Sequence, residues 1–243
     1  MTYSSDDLER LNQPDTSAED IVSWSMDTLD GNIALACSFS PEDNAIAHMM
    51  VSHNPKARIF GIDTGRLNEE TYQNADSLQR VLGITIEWYF PKHDAVESLV
   101  RGKGMFSFYE SLENRHECCF VRKVEPLSRA LSGLDGWITG LRREQSVTRT
   151  DLKAVEVDES HNNILKVNPL IGWTQDHVDA YIAKHGIPVN RLIRQGFLSI
   201  GCAPCTRAVQ PGADARSGRW WWENPEHKEC GLHVGQQPEG AGI

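Results

Sequence analysis

The chain has 243 residues, 40% hydrophobic and 24% charged, which suffices for a buried core and is unlike a disordered polypeptide. Lys plus Arg number 24 against 34 Asp plus Glu, and the resulting net charge of -10 argues against non-specific binding to nucleic acid or acidic membranes. No apolar run approaches the roughly 18–20 residues that cross a bilayer, and MTYSSDDLER lacks the basic-then-apolar layout of a secretory signal. A soluble, cytoplasmic protein with no nucleic-acid or membrane partner is therefore expected.

In chain order, Thr16 with Glu19 three residues on reads as a capping box, and Ile21, Val22, Ser25, Met26 and Leu29 follow at helical spacing. A strand is predicted over Asn32–Ser38. Ser40-Pro41-Glu42-Asp43 then gives an N-cap, a proline at the first helical position and two acids in the first turn. Further strands are predicted over Arg58–Asp63, Thr85–Phe90, Trp137–Leu141, Ala154–Asp158 and Leu165–Val167. Phe120, Val124, Leu127 and Leu131 share a helical face, so Cys118 and Cys119 would open that helix, with Lys123 one turn after Cys119. Thr174 caps a last helix, Trp173 staples onto Val178, and Gly186 with Pro188 ends it. This alternation predicts an α/β fold, a mostly parallel sheet flanked by helices, over residues 1–205 as a single domain. Residues 206–243 read as a C-terminal segment, yet Trp220–Trp222 in it suggest docking on the body or on a partner.

Three strand ends would meet at one edge of such a sheet, where open α/β sheets bind ligands. They carry Ser38-Phe39-Ser40, then Asp63 and Thr64 of GIDTG, then Gly140 with Arg142 and Arg143. The first and third have plainer readings. The first explains itself as an N-cap, Glu42 and Asp43 would repel an anion at the helix end, and the arginines could be a solvated surface pair.

Six cysteines in a chain of this kind do not suggest a disulfide framework. Cys37 lies in the apolar run IALACSF and reads as a small buried hydrophobe. Cys202-Ala-Pro-Cys205 and the adjacent pair Cys118, Cys119 offer four soft ligands, the number that tetrahedral zinc and a [4Fe–4S] cluster both need. Adjacent thiols reach separate irons of a cubane more easily than one zinc, but zinc and no metal at all stay open. Cys230, 13 residues from the end and near Lys228 and His233, has the setting of an activated nucleophile or of an incidental exposed thiol.

SFSPED, GIDTG, CCFVRKVEPL, TGLRREQS, NPLIGWT, GCAPCTR, GRWWWE and KECGLH together resemble the assimilatory adenylyl-sulfate (APS) reductases, thioredoxin-dependent relatives of phosphoadenylyl-sulfate (PAPS) reductases. The resemblance implies an adenine nucleotide α-hydrolase-like, Rossmann-like fold with a mobile C-terminal segment. It implies a [4Fe–4S] cluster on Cys118, Cys119, Cys202 and Cys205, and Cys230 as the nucleophile. It points to Lys123, Arg216, Arg219 and His233 as the cations that meet the phosphosulfate. Ser38, Ser40, Asp63, Thr64, Gly140 and Arg142 are the candidates for the adenosine and phosphate site. The chain departs from the fold's glycine-rich phosphate loop, in keeping with a substrate that has no pyrophosphate. The implied reaction is attack of Cys230 on the sulfur of adenylyl sulfate, giving AMP and a Cys S-sulfonate that thioredoxin, or a glutaredoxin-like protein, resolves to sulfite. Because the sequence stops soon after Cys230, that donor is expected to be a separate protein. The rival readings are a PAPS or dual-specificity reductase, an ATP pyrophosphatase-type ligase, and a zinc-binding regulatory nucleotide module. Oligomeric state is open, and a homo-oligomer is compatible with the sequence.

Overall fold

The computed structural model describes residues 3–145, 152–210, 212–214 and 216–224. Its centre is one six-stranded sheet in the order β3-β2-β1-β4-β6-β5. The strands are β1 (Ile33–Cys37), β2 (Arg58–Ile62), β3 (Glu87–Tyr89), β4 (Gly136–Ile138), β5 (Val155–Asp158) and β6 (Ile164–Val167). All neighbours pair in parallel except β5, which runs antiparallel against β6. Each predicted strand is present, several of them shorter than expected. The helices are α1 (Ser5–Leu11), α2 (Ala18–Thr28), α3 (Pro41–His53), α4 (Glu69–Leu82), α5 (His93–Lys103), α6 (Leu112–Cys119), α7 (Glu125–Leu131) and α8 (Gln175–His185).

Side chains alternate across a strand, so β1 feeds two cores. Ile33, Leu35 and Cys37 pack with Ile21, Val22 and Met26 of α2 and with Ile46 and Met50 of α3. Ala34 faces the other way, among Phe60, Leu127, Leu131 and Trp137. Cys37 is buried as expected, and burial, with Asp43 nearby, pushes its thiol well up. Among the described residues, no helix is long and apolar enough to cross a membrane.

Three local expectations need correction. The cap of α2 is Ser17, whose hydroxyl accepts from the Asp20 N–H, whereas the Thr16 hydroxyl donates to the Arg10 carbonyl. Cys118 and Cys119 do not open a helix. They close α6, and the chain continues through a π-helical turn, Phe120–Val124, into α7. Pro126 explains the widened turn: it has no N–H to give the Arg122 carbonyl, and its ring would clash with it in a regular α-helix. The face predicted through Phe120 is therefore broken, and Phe120 is exposed while Leu127 and Leu131 are buried. Trp173 packs its ring on His177 and Tyr181, with Thr174 as the cap of α8 and Gly186 in the left-handed region (φ 62°) ending it. The Ser40 cap stands as predicted.

At the far edge of the sheet Asp158 accepts from Trp137 Nε1 at 3.0 Å and from Ser160 Oγ at 2.5 Å, with His161 Nδ1 at 2.8 Å. Burial alone would raise its carboxyl, but the hydrogen bonds of His161 and Ser160 and the charges of His161 and Lys166 hold it well below the usual range. A depressed folded-state pKa contributes stability above the unfolded value near 4, and that contribution is lost as pH falls below it. Asp158→Asn is expected to cost about 1–3 kcal/mol at pH 7 and progressively less below pH 4, as measured by urea unfolding of both proteins at each pH.

Candidate active site

The connections leave β1 toward β2 on one side, whereas β4 lies on the other, so the crevice between the ends of β1 and β4 is the switch point of the sheet. Three of the predicted residues line it. Ser38 donates its N–H and its hydroxyl to Asp43 Oδ2, at 2.7 and 2.6 Å, and Ser40 caps α3 by accepting from the Asp43 N–H at 3.2 Å. Between them Phe39 takes a positive φ of 64° and is buried. Gly140 lies so close that a Cβ there would stand 2.3 Å from Asp43 Oδ1. Burial raises the Asp43 carboxyl to about 6, against the Ser38 hydrogen bonds that favour its charged form.

Arg142 is buried and occupied. It donates to Glu42 at 2.9 Å, Glu144 at 2.7 Å and Gln175 at 2.7 Å, so its guanidinium braces the loop after β4 against α3 and α8. Arg143 is exposed and donates to the Leu152 carbonyl.

The loop after β2 carries the other two predicted residues and links the crevice to the cysteines. Asp63 accepts from the Gly65 N–H at 2.7 Å and from the Tyr72 hydroxyl at 2.9 Å. Thr64 is buried, its hydroxyl 3.2 Å from Cys202 Sγ, and its carbonyl accepts from Arg122 at 2.7 Å. Two residues on, the Arg66 carbonyl accepts from the Ala203 N–H.

Cys118, Cys119, Cys202 and Cys205, far apart in sequence, line one narrow cleft. Helix α6 delivers the first pair, and the turn Cys202–Cys205, closed by a 2.9 Å backbone hydrogen bond, delivers the second. Lys123 lines the same cleft, as do Arg66, Arg115 and Arg122. Burial pushes the Cys118 thiol up, while Arg122 and Arg66 oppose the shift. Cys205 is raised by burial and by the neighbouring thiols, with Arg219 opposing. Among the described residues, no three His, Cys, Asp or Glu side chains are grouped to hold a single metal ion. Three buried N–H donors here find no partner: Arg122 Nε, Arg219 Nε and Trp220 Nε1.

The polar residues Arg66, Arg115 and Arg122 escaped the sequence reading. Arg115 is fully buried, bidentate to Glu223 at 3.0 and 2.9 Å, with its guanidinium 4.7 Å from the Trp220 ring centre. Through Trp220, packed with Phe108 and Cys205, the stretch up to Asn224 is fastened to the body. Arg219 lies over Gly201 and 4.6 Å from the Trp220 ring, at the edge of the cysteine site. The Arg216 N–H donates to Asp214. Cys230 and His233 lie outside the described residues.

The model of the phosphoadenosine phosphosulfate reductase domain matches residues 32–208, which hold the crevice and all four cleft cysteines. A Burkholderia cepacia protein named adenosine 5'-phosphosulfate reductase is 48% identical over 202 residues, 83% of this chain and 80% of its own length. The crystal structure of phosphoadenylyl-sulfate reductase from Candida auris, a phosphate complex, superposes with a TM-score of 0.71 at 28% identity, over 86% of this chain and 99% of that one. At the level of fold alone, FMN adenylyltransferase of Candida glabrata aligns with a TM-score of 0.56 at 12% identity, covering 94% of this chain and 80% of that one. With the matched region spanning most of the sequence, the crevice and the four cleft cysteines, the chain belongs to the phosphoadenosine phosphosulfate reductase domain family.

Proposed function

We propose that the chain is an adenylyl-sulfate reductase of sulfate assimilation, acting in the cytoplasm and releasing sulfite and AMP with thioredoxin as the reductant. The observation that carries this reading is the convergence of two cysteine pairs on one cation-lined cleft, joined through Thr64 to the nucleotide-type crevice.

The residues fit a [4Fe–4S] cluster better than zinc. Four thiols share the cleft, and the adjacent Cys118 and Cys119 reach separate iron corners more easily than one tetrahedral ion. The unpartnered Nε of Arg122, a residue that lines the cleft, suits a group rich in sulfide acceptors. Cys118, Cys119, Cys202 and Cys205 would hold the cluster, which when bound supplies a fixed charge distribution beside the substrate rather than an electron route.

In the reaction, the Cys230 thiolate attacks the sulfur of adenylyl sulfate. A bond forms between Cys230 Sγ and that sulfur, the S–O bond to the phosphate breaks, and AMP leaves with that electron pair. A thiolate meeting an anionic sulfate is opposed electrostatically, so Lys123, Arg216, Arg219 and His233 serve to neutralise the phosphosulfate and the charge growing on the leaving phosphate. A thioredoxin thiolate then attacks Cys230 Sγ and expels sulfite. Its second thiol resolves the mixed disulfide, returning Cys230 as thiolate and leaving thioredoxin oxidised.

Anaerobic purification with iron, sulfide and zinc analysis, followed by kcat/KM for adenylyl sulfate and its 3'-phosphorylated form, tests the reading. About four irons and four sulfides per chain and a preference for adenylyl sulfate are expected. One zinc and no reductase activity would overturn it. A preference for the 3'-phosphorylated nucleotide would move the enzyme to the sister activity.

A further inference from the structure

The crevice between β1 and β4 has an unusual occupant. In parallel α/β sheets this position, with a helix N-terminus beside it, ordinarily offers N–H groups to a phosphate. Here Asp43 and Ser40 take the donors of Ser38, Asp43 and Asn44. The Ser38 N–H and hydroxyl both go to Asp43 Oδ2, at 2.7 and 2.6 Å. The Asp43 N–H goes to Ser40 Oγ at 3.2 Å, the Asn44 N–H goes to the Ser40 carbonyl at 3.0 Å, and Pro41 has none to give. The other carboxylate oxygen faces Gly140, where even a methyl group would lie 2.3 Å away, so the end of β4 is shaped around this side chain. Asp43 is 4% exposed.

We propose that Asp43 is a built-in phosphate surrogate: its carboxylate occupies the anion position of the crevice and thereby bars nucleotides that carry a polyphosphate. A carboxylate oxygen and a phosphate oxygen make the same demand on Ser38, so an entering polyphosphate would have to displace the one to gain the other. It would also stand beside a second buried acid, Glu42, whose charge is already matched by Arg142 at 2.9 Å. Although burial raises the Asp43 carboxyl to about 6, it remains largely ionised at neutral pH and repels the newcomer. Selection is thus made against the alternative ligand as well as for the right one. The proposal takes from the reading above only that the crevice holds a nucleotide; it does not depend on the sulfur chemistry.

The test is calorimetric titration of the wild-type chain, Asp43→Ser and Asp43→Asn with AMP, ATP and inorganic pyrophosphate at fixed ionic strength. The wild type is expected to bind AMP and to show no pyrophosphate binding. Asp43→Ser vacates the position while keeping the Ser38 donors, so it should gain pyrophosphate binding, and its ATP-to-AMP ratio of Kd values should fall at least tenfold. Asp43→Asn, nearly isosteric and able to keep an acceptor for Ser38, guards against loss of the fold and should show a smaller fall. Pyrophosphate binding to the wild type as strong as to either variant would overturn the proposal. So would an unchanged ratio in a folded variant, or loss of AMP binding in both, since Asp43 would then support the nucleotide rather than refuse one. A wild type that binds no AMP would instead refute the nucleotide reading itself.

Discussion

Replacing Cys230 with serine is expected to abolish sulfite release, by four orders of magnitude or about that, while iron content and AMP binding stay at wild-type levels. A covalent intermediate cannot form without its nucleophile, and a serine hydroxyl at neutral pH is a poor substitute for a thiolate. Mass spectrometry provides the second readout. On incubation with adenylyl sulfate and no reductant, the wild-type protein should gain one sulfonate on Cys230, and the variant none. A zinc-binding regulatory module would be indifferent to the change, so retained function in Cys230→Ser would restore that rival.

The second large effect is expected from Glu223→Ala. Arg115 is fully enclosed, and Glu223 meets it with both oxygens. Removing the acid leaves a buried guanidinium short of its carboxylate, which costs about 3–5 kcal/mol. For a chain of this size that corresponds to a fall in Tm of roughly 6–20 °C. Because well-packed apolar replacements of a buried pair are often neutral, the double variant Arg115→Met with Glu223→Leu should recover most of the loss. A thermal melt of the three proteins decides, and a single variant that melts with the wild type would show the pair to be dispensable. Glu223 also lies seven residues before Cys230 in sequence, so the same single variant is expected to reduce activity at temperatures where it is still folded.

Much of the sheet was legible because buried strands leave short apolar runs bounded by turn residues. IALAC and RIFGI became β1 and β2 without a shift in phase. The cap at Ser40 was legible for a similar local reason, since its acceptor and the N–H it binds are three residues apart. What periodicity misplaced was the helix around Cys118 and Cys119. A 3.6-residue pattern has no way to register the π turn that Pro126 imposes.

At the site, the cysteine pairs announced themselves by spacing. Arg66, Arg115 and Arg122 did not, because a charged residue in a polar helix ordinarily marks a solvated face. Arg115 is enclosed only because Glu223 arrives from 108 positions away, a pairing that no local pattern carries. Arg142 was visible as a residue, but its engagement with Glu42, Glu144 and Gln175 depends on three separate segments meeting.

The widened turn after Cys119 acts as an angular setting. Each residue of an α-helix advances the chain by about 100° around the axis, so one surplus residue between Phe120 and Val124 fixes the azimuth at which the two thiols of α6 stand relative to the buried face of α7. Deleting a residue there would keep the helix continuous, with Pro126 still leaving the Arg122 carbonyl without its i+4 donor. It would nonetheless swing Cys118 and Cys119 by a quarter turn or more while Leu127 and Leu131 stayed seated in the core. The aim of two ligands is thus encoded in a count of residues, separately from their identity.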